Sequence, residues 1–297
     1  MAMEIVSLGG RISYILRVPT KHKELVQTSF YANYPEMEMI EIEDYLKNFD
    51  YDYDNGDIEL FGADFILVKD QSFPIRTYKE FEGFSGPETS QIIVDPIAPL
   101  LETLTQVNST EFLGYQIVIQ PVLDGSWQDK VEAQVEKLQG EKDFMQLDEV
   151  TKDQINSLRR KLGRPGFYTK IRVLHMGKKG SFHKDFKKLV LSPFRIYGSA
   201  SFNIFKPTFA TKKDWMISPS LEKPYIEHWR RKRYAEIFAG YKKRSTWIGS
   251  AKYILNTEEL ATLFHFPITQ AISKTPISAI DMKKVQPPID LPIDDNY

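Results

Sequence analysis

Two adjacent glycines, Gly9 and Gly10, separate two short apolar runs, and this constrains the start of the fold more than any other feature. Glycine reaches the positive φ values that a tight hairpin turn requires. Ile5-Val6 leads into the pair. Ile12, Tyr14, Leu16 and Val18 then alternate with Arg11, Ser13 and Arg17, which is the period of a strand. Pro19 ends this predicted hairpin. Residues 21–34 read as a helix stopped by Pro35. Residues 37–43 (Met-Glu-Met-Ile-Glu-Ile-Glu) alternate again and predict a strand. Hairpin, helix and strand in this order suggest a split β-α-β start. Strands at 58–69 and 112–122 with a helix at 96–107 complete a first unit that closes near Pro121.

Asp124-Gly125-Ser126 marks a boundary, and Ser126 with Asp129 is a helix start. Residues 127–139 carry few apolar side chains, so an exposed connecting helix running toward Leu162 is expected. A strand follows at 167–176, and a helical stretch at 181–197 is perturbed by Pro193. Residues 225–244 form the clearest helix, with Ile226, Trp229, Tyr234, Ile237, Phe238 and Tyr241 on one broad face. Arg230 and Arg233 sit near that stripe, where their stems can pack while the heads reach water. Tyr253-Ile254-Leu255 reads as a short strand, and Asn256 with Glu259 as a capping box. The stretch from Gln286, rich in proline, reads as an extended linker. The expected architecture is α+β: two tandem α/β-sandwich units, each split β-α-β-like, with a connecting helix. Its boundaries are 1–125, 126–162, 163–270 and 271–297.

The net charge of −1 hides a division. Residues 1–150 hold 11 Lys+Arg against 28 Asp+Glu, a net of −17, and residues 151–297 hold 28 against 12, a net of +16. Such asymmetry points to distinct partners for the halves, or to halves that dock on each other. The chain has no cysteine, which removes disulfides, thiolate nucleophiles and cysteine-ligated metals. No apolar run approaches the ~20 residues of a membrane span. The N-terminus lacks the layout of a signal peptide. These features read as a cytoplasmic protein.

The search for chemistry is short. No P-loop, G-x-G-x-x-G or G-x-S-x-G spacing occurs. Asp50, Asp52 and Asp54 match the first positions of a calcium loop, but Gly56 falls one place late, and a solvated acidic loop is the favoured reading. His175 and His183 are close enough in sequence to meet, yet ordinary polar histidines are the simpler expectation. No catalytic residue, metal or cofactor is expected.

The informative constellation is basic and aromatic. Residues 151–252 hold 25 Lys+Arg against 6 Asp+Glu. Lysine and arginine neutralise phosphates, and rings stack on bases. The candidate contacts are Arg230, Arg231, Arg233, Lys242, Lys243 and Arg244, with Arg159 and Arg160 second. A nucleic acid, the chain's own acidic half or another protein, and an anionic membrane all remain open as what this charge meets.

Four stretches carry a resemblance: EIVSLGGRISYILRVP at 4–19, FYANYPEMEMIEIEDY at 30–45, YILNTEELATLFHFP at 253–267 and TPISAIDMKKVQPPIDLP at 275–292. In this order they resemble the region preceding the motor in membrane-tethered ATPases of the type IV secretion and conjugation class, in the HerA/FtsK-like superfamily. The third stretch is the most specific, and the middle of the chain matches in pattern only. The resemblance implies partners: an ATPase motor domain or subunit, a membrane-proximal assembly at the inner face of a membrane, and nucleic acid as cargo. Those relatives carry an N-terminal membrane segment and a C-terminal P-loop motor. This chain is expected to begin where the first ends and to stop where the second begins, so ATP binding transfers to none of its residues. Three functional readings result: a non-catalytic accessory module of such a machine, a scaffold that forms oligomers through its acidic and basic halves, and an unrecognised hydrolase.

Overall fold

A computed structural model describes residues 1–8, 11–47, 49, 51–54, 56–82, 95–108, 110–180, 186–208 and 223–267. Strands β1 (Ala2–Leu8) and β2 (Arg11–Arg17) pair antiparallel with Ile5 opposite Tyr14, which is the hairpin that Gly9 and Gly10 announce. The far side of β1 pairs with β4 (Phe112–Pro121). Next comes β5 (Gly166–Lys178), then β3 (Ile58–Leu67), then the short edge strand β6 (Phe205–Thr208). Strand β7 (Tyr253–Asn256) pairs with Gly166–Thr169 of β5, beyond the end of β3. Every pairing is antiparallel.

The α+β class is therefore as expected, but the strands of the two expected units belong to one sheet. Strand β5, from the second half, lies between β4 and β3 of the first. Its thirteen residues are buried along most of their length and need a neighbour on each side. Ile171, Val173, Leu174 and Met176 supply its buried apolar side chains, and Lys170, Arg172 and His175 are buried among them.

One sheet face carries the larger core, including Ile5, Phe65, Tyr115, Ile171, Val173, Phe194 and Tyr197. Over it lie α3 (Ala98–Thr105), α6 (Lys187–Leu191) and the 3-10 turn Ser192–Tyr197, in which Pro193 stops the α geometry. The other face is covered by α7 (Lys223–Lys242), whose Ile237, Phe238 and Tyr241 meet Leu60, Leu174 and Met176. Helix α7 sits low because the sheet beneath it is bare. A Cβ on Gly62 would lie 2.4 Å from Ile237 Cγ2, and one on Gly114 would lie 2.1 Å from the Tyr241 hydroxyl.

The expected connecting helix is a hairpin of two helices. Helix α4 (Ser126–Gln139) ends at Gly140, whose φ of +57° favours glycine, and α5 (Glu149–Leu162) returns from an Asp148 cap on Thr151 N–H. Trp127 and Val131 pack with Leu158 and Ile254, so the hairpin is docked rather than exposed.

Residues 37–43 form no strand. Ile40 and Ile42 remain 73% and 57% exposed. Alternation suits a strand only where an edge is there to pair with. This segment instead leads from α1 (Lys23–Asn33), which packs through Phe30 on Phe266, to Tyr45, which packs on Phe112 under α7. Helix α2 (Tyr78–Glu82) is a short turn before the second half begins. Strand β6 went unread because Pro207 lies within it, which an edge strand tolerates. The tail at 271–297 lies outside the described residues.

Candidate functional site

The sheet register under α7 sets four polar residues in a row across four strands. Glu4 lies opposite Gln116, Gln116 opposite Arg172, and Arg172 opposite Asp64. All four are buried. Burial of such groups is costly unless each finds partners, and each of the four has at least one, although the Gln116 Oε1 is buried without any. Gln116 Nε2 donates to Glu4 Oε1 at 2.8 Å and to the Tyr241 carbonyl at 3.0 Å. Arg172 donates from Nε to Asp64 at 3.1 Å, from Nη1 to the Gly240 carbonyl at 2.9 Å, and from Nη2 to the Ile248 carbonyl. Asp64 also accepts from the Ser250 N–H at 2.7 Å and the Ser250 hydroxyl at 2.9 Å.

This row caps the end of α7. The last carbonyls of a helix have no partner within it and carry partial negative charge. Here Arg172, Gln116 and Arg244 reach the carbonyls of residues 240, 241 and 242. Arg244 has a φ of +50° and turns inward. Its Nε donates to Glu4 at 2.9 Å, Nη2 donates to Asp44 at 3.0 Å, and the guanidinium lies over the Tyr45 ring. Burial opposes the Arg244 charge, but the hydrogen bonds to Asp44 and Glu4 hold its proton more tightly than in water. Burial likewise opposes the Asp44 charge, yet the bonds from Arg244 and the Leu46 N–H keep its carboxyl below the usual range.

The loop anchored by this row presents the outward face. Trp247 is 81% exposed. Lys252 Nζ lies 4.9 Å from the Trp247 ring and 4.1 Å from the Tyr168 ring. Beneath them Lys170 Nζ donates to the Ile248 carbonyl at 2.8 Å. Burial and the adjacent Arg172 cation pull Lys170 down to about 8. Trp247, Lys252 and Tyr168 are not among the candidates expected from the sequence. The available signal was a tryptophan outside any apolar periodicity, in a Gly- and Ser-bearing stretch.

The expected contact residues meet different fates. Lys243 and Arg159 are exposed, and Arg159 lies over the Phe144 ring at 5.5 Å. Arg230 is half-buried on α7, and Arg233 lies 5.0 Å from the Trp229 ring. Arg231 pairs with Asp54 at 2.8 Å, Arg160 with Glu80 at 2.7 Å, and Lys242 donates to the Phe49 carbonyl at 2.6 Å. Arg244 is the clear correction: it is enclosed by acids from the first half instead of facing solvent. The fold does not gather the eight into one patch.

A second charged centre supports β7. Glu259 accepts from the Ile75 N–H, the Asn256 N–H and Lys161, all fully buried or nearly so. Asn256 Oδ1 in turn accepts from the Glu259 N–H, completing the expected capping box at the start of α8 (Thr257–Leu263). Lys161 is pulled down by burial, while Glu259 opposes the shift. His175 meets Glu111 at 3.1 Å, and His265 meets Asp95 at 2.8 Å. His183 and Asp50 lie outside the described residues. Among the described residues no group of three His, Asp or Glu could hold a metal ion, and no helix is long and apolar enough to cross a membrane.

No curated protein and no solved structure matches the chain. A family model described as a domain of unknown function, DUF8128, matches residues 1–278. A match over that share of the sequence carries the whole described fold, and the chain belongs to the DUF8128 family.

Proposed function

We propose that the chain is a non-catalytic accessory module of an ATPase-driven secretion or conjugation apparatus, working at the inner face of a membrane, and that the face carrying Trp247, Lys252 and Tyr168 guides nucleic acid. The placement in such a machine rests on the resemblance of the four sequence stretches. The nucleic-acid role rests on one observation: Lys252 lies between Trp247, which is open to solvent, and Tyr168. A ring presented to solvent beside an ammonium group suits a base and its phosphate.

Fluorescence anisotropy with labelled single- and double-stranded DNA over a range of salt tests this reading. Binding should weaken steeply with salt. Lys252→Glu and Lys243→Glu should each flatten the log–log slope by about 0.7–0.9 per lost phosphate contact. Trp247→Ala should weaken single-strand binding by about 1–3 kcal/mol, the value of one stacked base. Absence of binding at low salt, or variants that leave slope and affinity unchanged, would overturn it.

One observation favours a second reading, a protein-interaction scaffold. Arg160 with Glu80, Arg231 with Asp54, and Arg244 with Glu4 each join the basic half to the acidic half. The same complementarity can join copies. Salt-sensitive self-association without DNA affinity selects this scaffold.

A further inference from the structure

Helix α1 buries none of its eleven residues. Leu25, Val26, Ser29, Phe30, Asn33 and Tyr34 follow one helical stripe and line an open groove of about 420 Å³. Leu25 is 66% exposed. The strap that follows adds Ile40 and Ile42, also exposed, and is tied back to the helix by Lys23 on Glu41 at 2.6 Å and by the Met39 N–H on the Tyr31 hydroxyl at 3.2 Å. From 24 to 44 the sequence carries Glu24, Glu36, Glu38, Glu41, Glu43 and Asp44 and neither lysine nor arginine.

The next stretch shows what this chemistry accommodates. Phe49 and Tyr51 pack on Phe238, and Tyr51 stacks on Tyr234. Asp54 pairs with Arg231, and the Phe49 carbonyl accepts from Lys242. An acidic, aromatic segment there receives α7, a cationic helix with one apolar face. The α1 groove and its strap offer the same combination, with no helix laid on them among the described residues.

We propose that the α1 groove and the 36–43 strap bind an amphipathic helix of a partner protein, with Leu, Ile or Phe along one face and Lys or Arg along its flanks. Apolar anchors in the groove supply affinity, and the glutamates select the cationic flanks and speed the encounter. This surface shares no residue with the proposed nucleic-acid face, so the two proposals stand or fall separately.

The test titrates the full chain into a labelled peptide of about 18 residues, five turns of helix, built from leucine and lysine in amphipathic order. A scrambled peptide of the same composition is the control. Saturable binding is expected, with the scrambled peptide about tenfold or more weaker. Leu25→Asp combined with Ile40→Asp should also weaken binding about tenfold or more, because apolar anchors are lost. Both residues are exposed, so the fold is retained, and both changes add negative charge. Unchanged or tighter binding by that variant would mean general charge attraction and overturn the proposal. So would equal binding of the scrambled peptide or no binding at all. Self-association of the chain that the same substitutions abolish would assign the surface to a second copy, and likewise overturn it.

Discussion

Arg244 Nε donates to Glu4 Oε1 across 2.9 Å, so the first strand holds the residue that ends the last long helix. Glu4 is fully buried, and its other contacts are Gln116 and the Tyr45 hydroxyl, neither of which carries a charge. Removal of the guanidinium leaves a buried carboxylate without its cation. Arg244→Ala should cost about 3–5 kcal/mol in urea denaturation. Arg244→Gly should cost less than Arg244→Ala by about 1 kcal/mol, because glycine accepts the positive φ at this position. Equal losses would show that the backbone there relaxes freely.

Lys170 should make stability rise with pH on the alkaline side. Its proton is held only to about 8 in the fold, whereas an unfolded lysine keeps it to about 10.4. Between these values the unfolded chain binds more protons, so this group adds stability as pH rises and removes it as pH falls toward 8. The urea midpoint of the parent relative to Lys170→Met should therefore be higher at pH 9.5 than at pH 7.5. A difference that shrinks with pH would refute the assignment.

The pair of Lys161 and Glu259 should behave as a unit. Lys161→Met or Glu259→Gln alone leaves an uncompensated buried group, at a cost of about 3–5 kcal/mol. The double variant should lose less than the sum, with a coupling of about 1 kcal/mol or more. Asn256→Ala should cost about 1 kcal/mol through the lost cap. Additive losses would mean that the ion pair is incidental.

Gly62→Ala should push α7 off the sheet, since the new Cβ meets Ile237 Cγ2 and the Val173 carbonyl. A loss of about 1–3 kcal/mol is expected. Ile237→Ala in the same chain should recover part of it by vacating the space. A neutral Gly62→Ala would place α7 higher than described.

Trp247→Ala should leave stability within about 0.5 kcal/mol, because the indole is mostly in water. Thermal denaturation checks this, and a large loss would show that the loop depends on the ring for its own order.

The features legible in the sequence are the local ones. Gly9-Gly10 specified a hairpin, and Asn256 with Glu259 specified a helix start, because each signal lies within a few residues of its partner. The position of β5 was not legible. Its neighbours, β3 and β4, are adjacent in the chain and were read as one unit, and nothing local says that a later strand separates them. The run Lys242-Lys243-Arg244 shows the same limit at the level of side chains. One donates to a carbonyl, one faces water and one is enclosed, because the helix ends among them and the backbone turns. Charge pattern alone cannot tell these fates apart. Arg231 and Asp54 were both visible as charges, but their pairing depends on how α7 crosses the acidic stretch.

The central place of β5 also governs how the molecule comes into being on the ribosome. Strands β3 and β4 are both made before residue 166, and each keeps an edge open until β5 arrives to fill the space between them. The nascent first half therefore carries three edges awaiting partners, one on β4 and two on β3, whose other neighbour β6 is also made later, and a large negative charge, which keeps such intermediates apart in solution while they wait. A fragment ending near residue 125 should be made as a collapsed, unfolded chain. The full chain should fold slowly, as befits a sheet whose middle strand is the fifth to be synthesised.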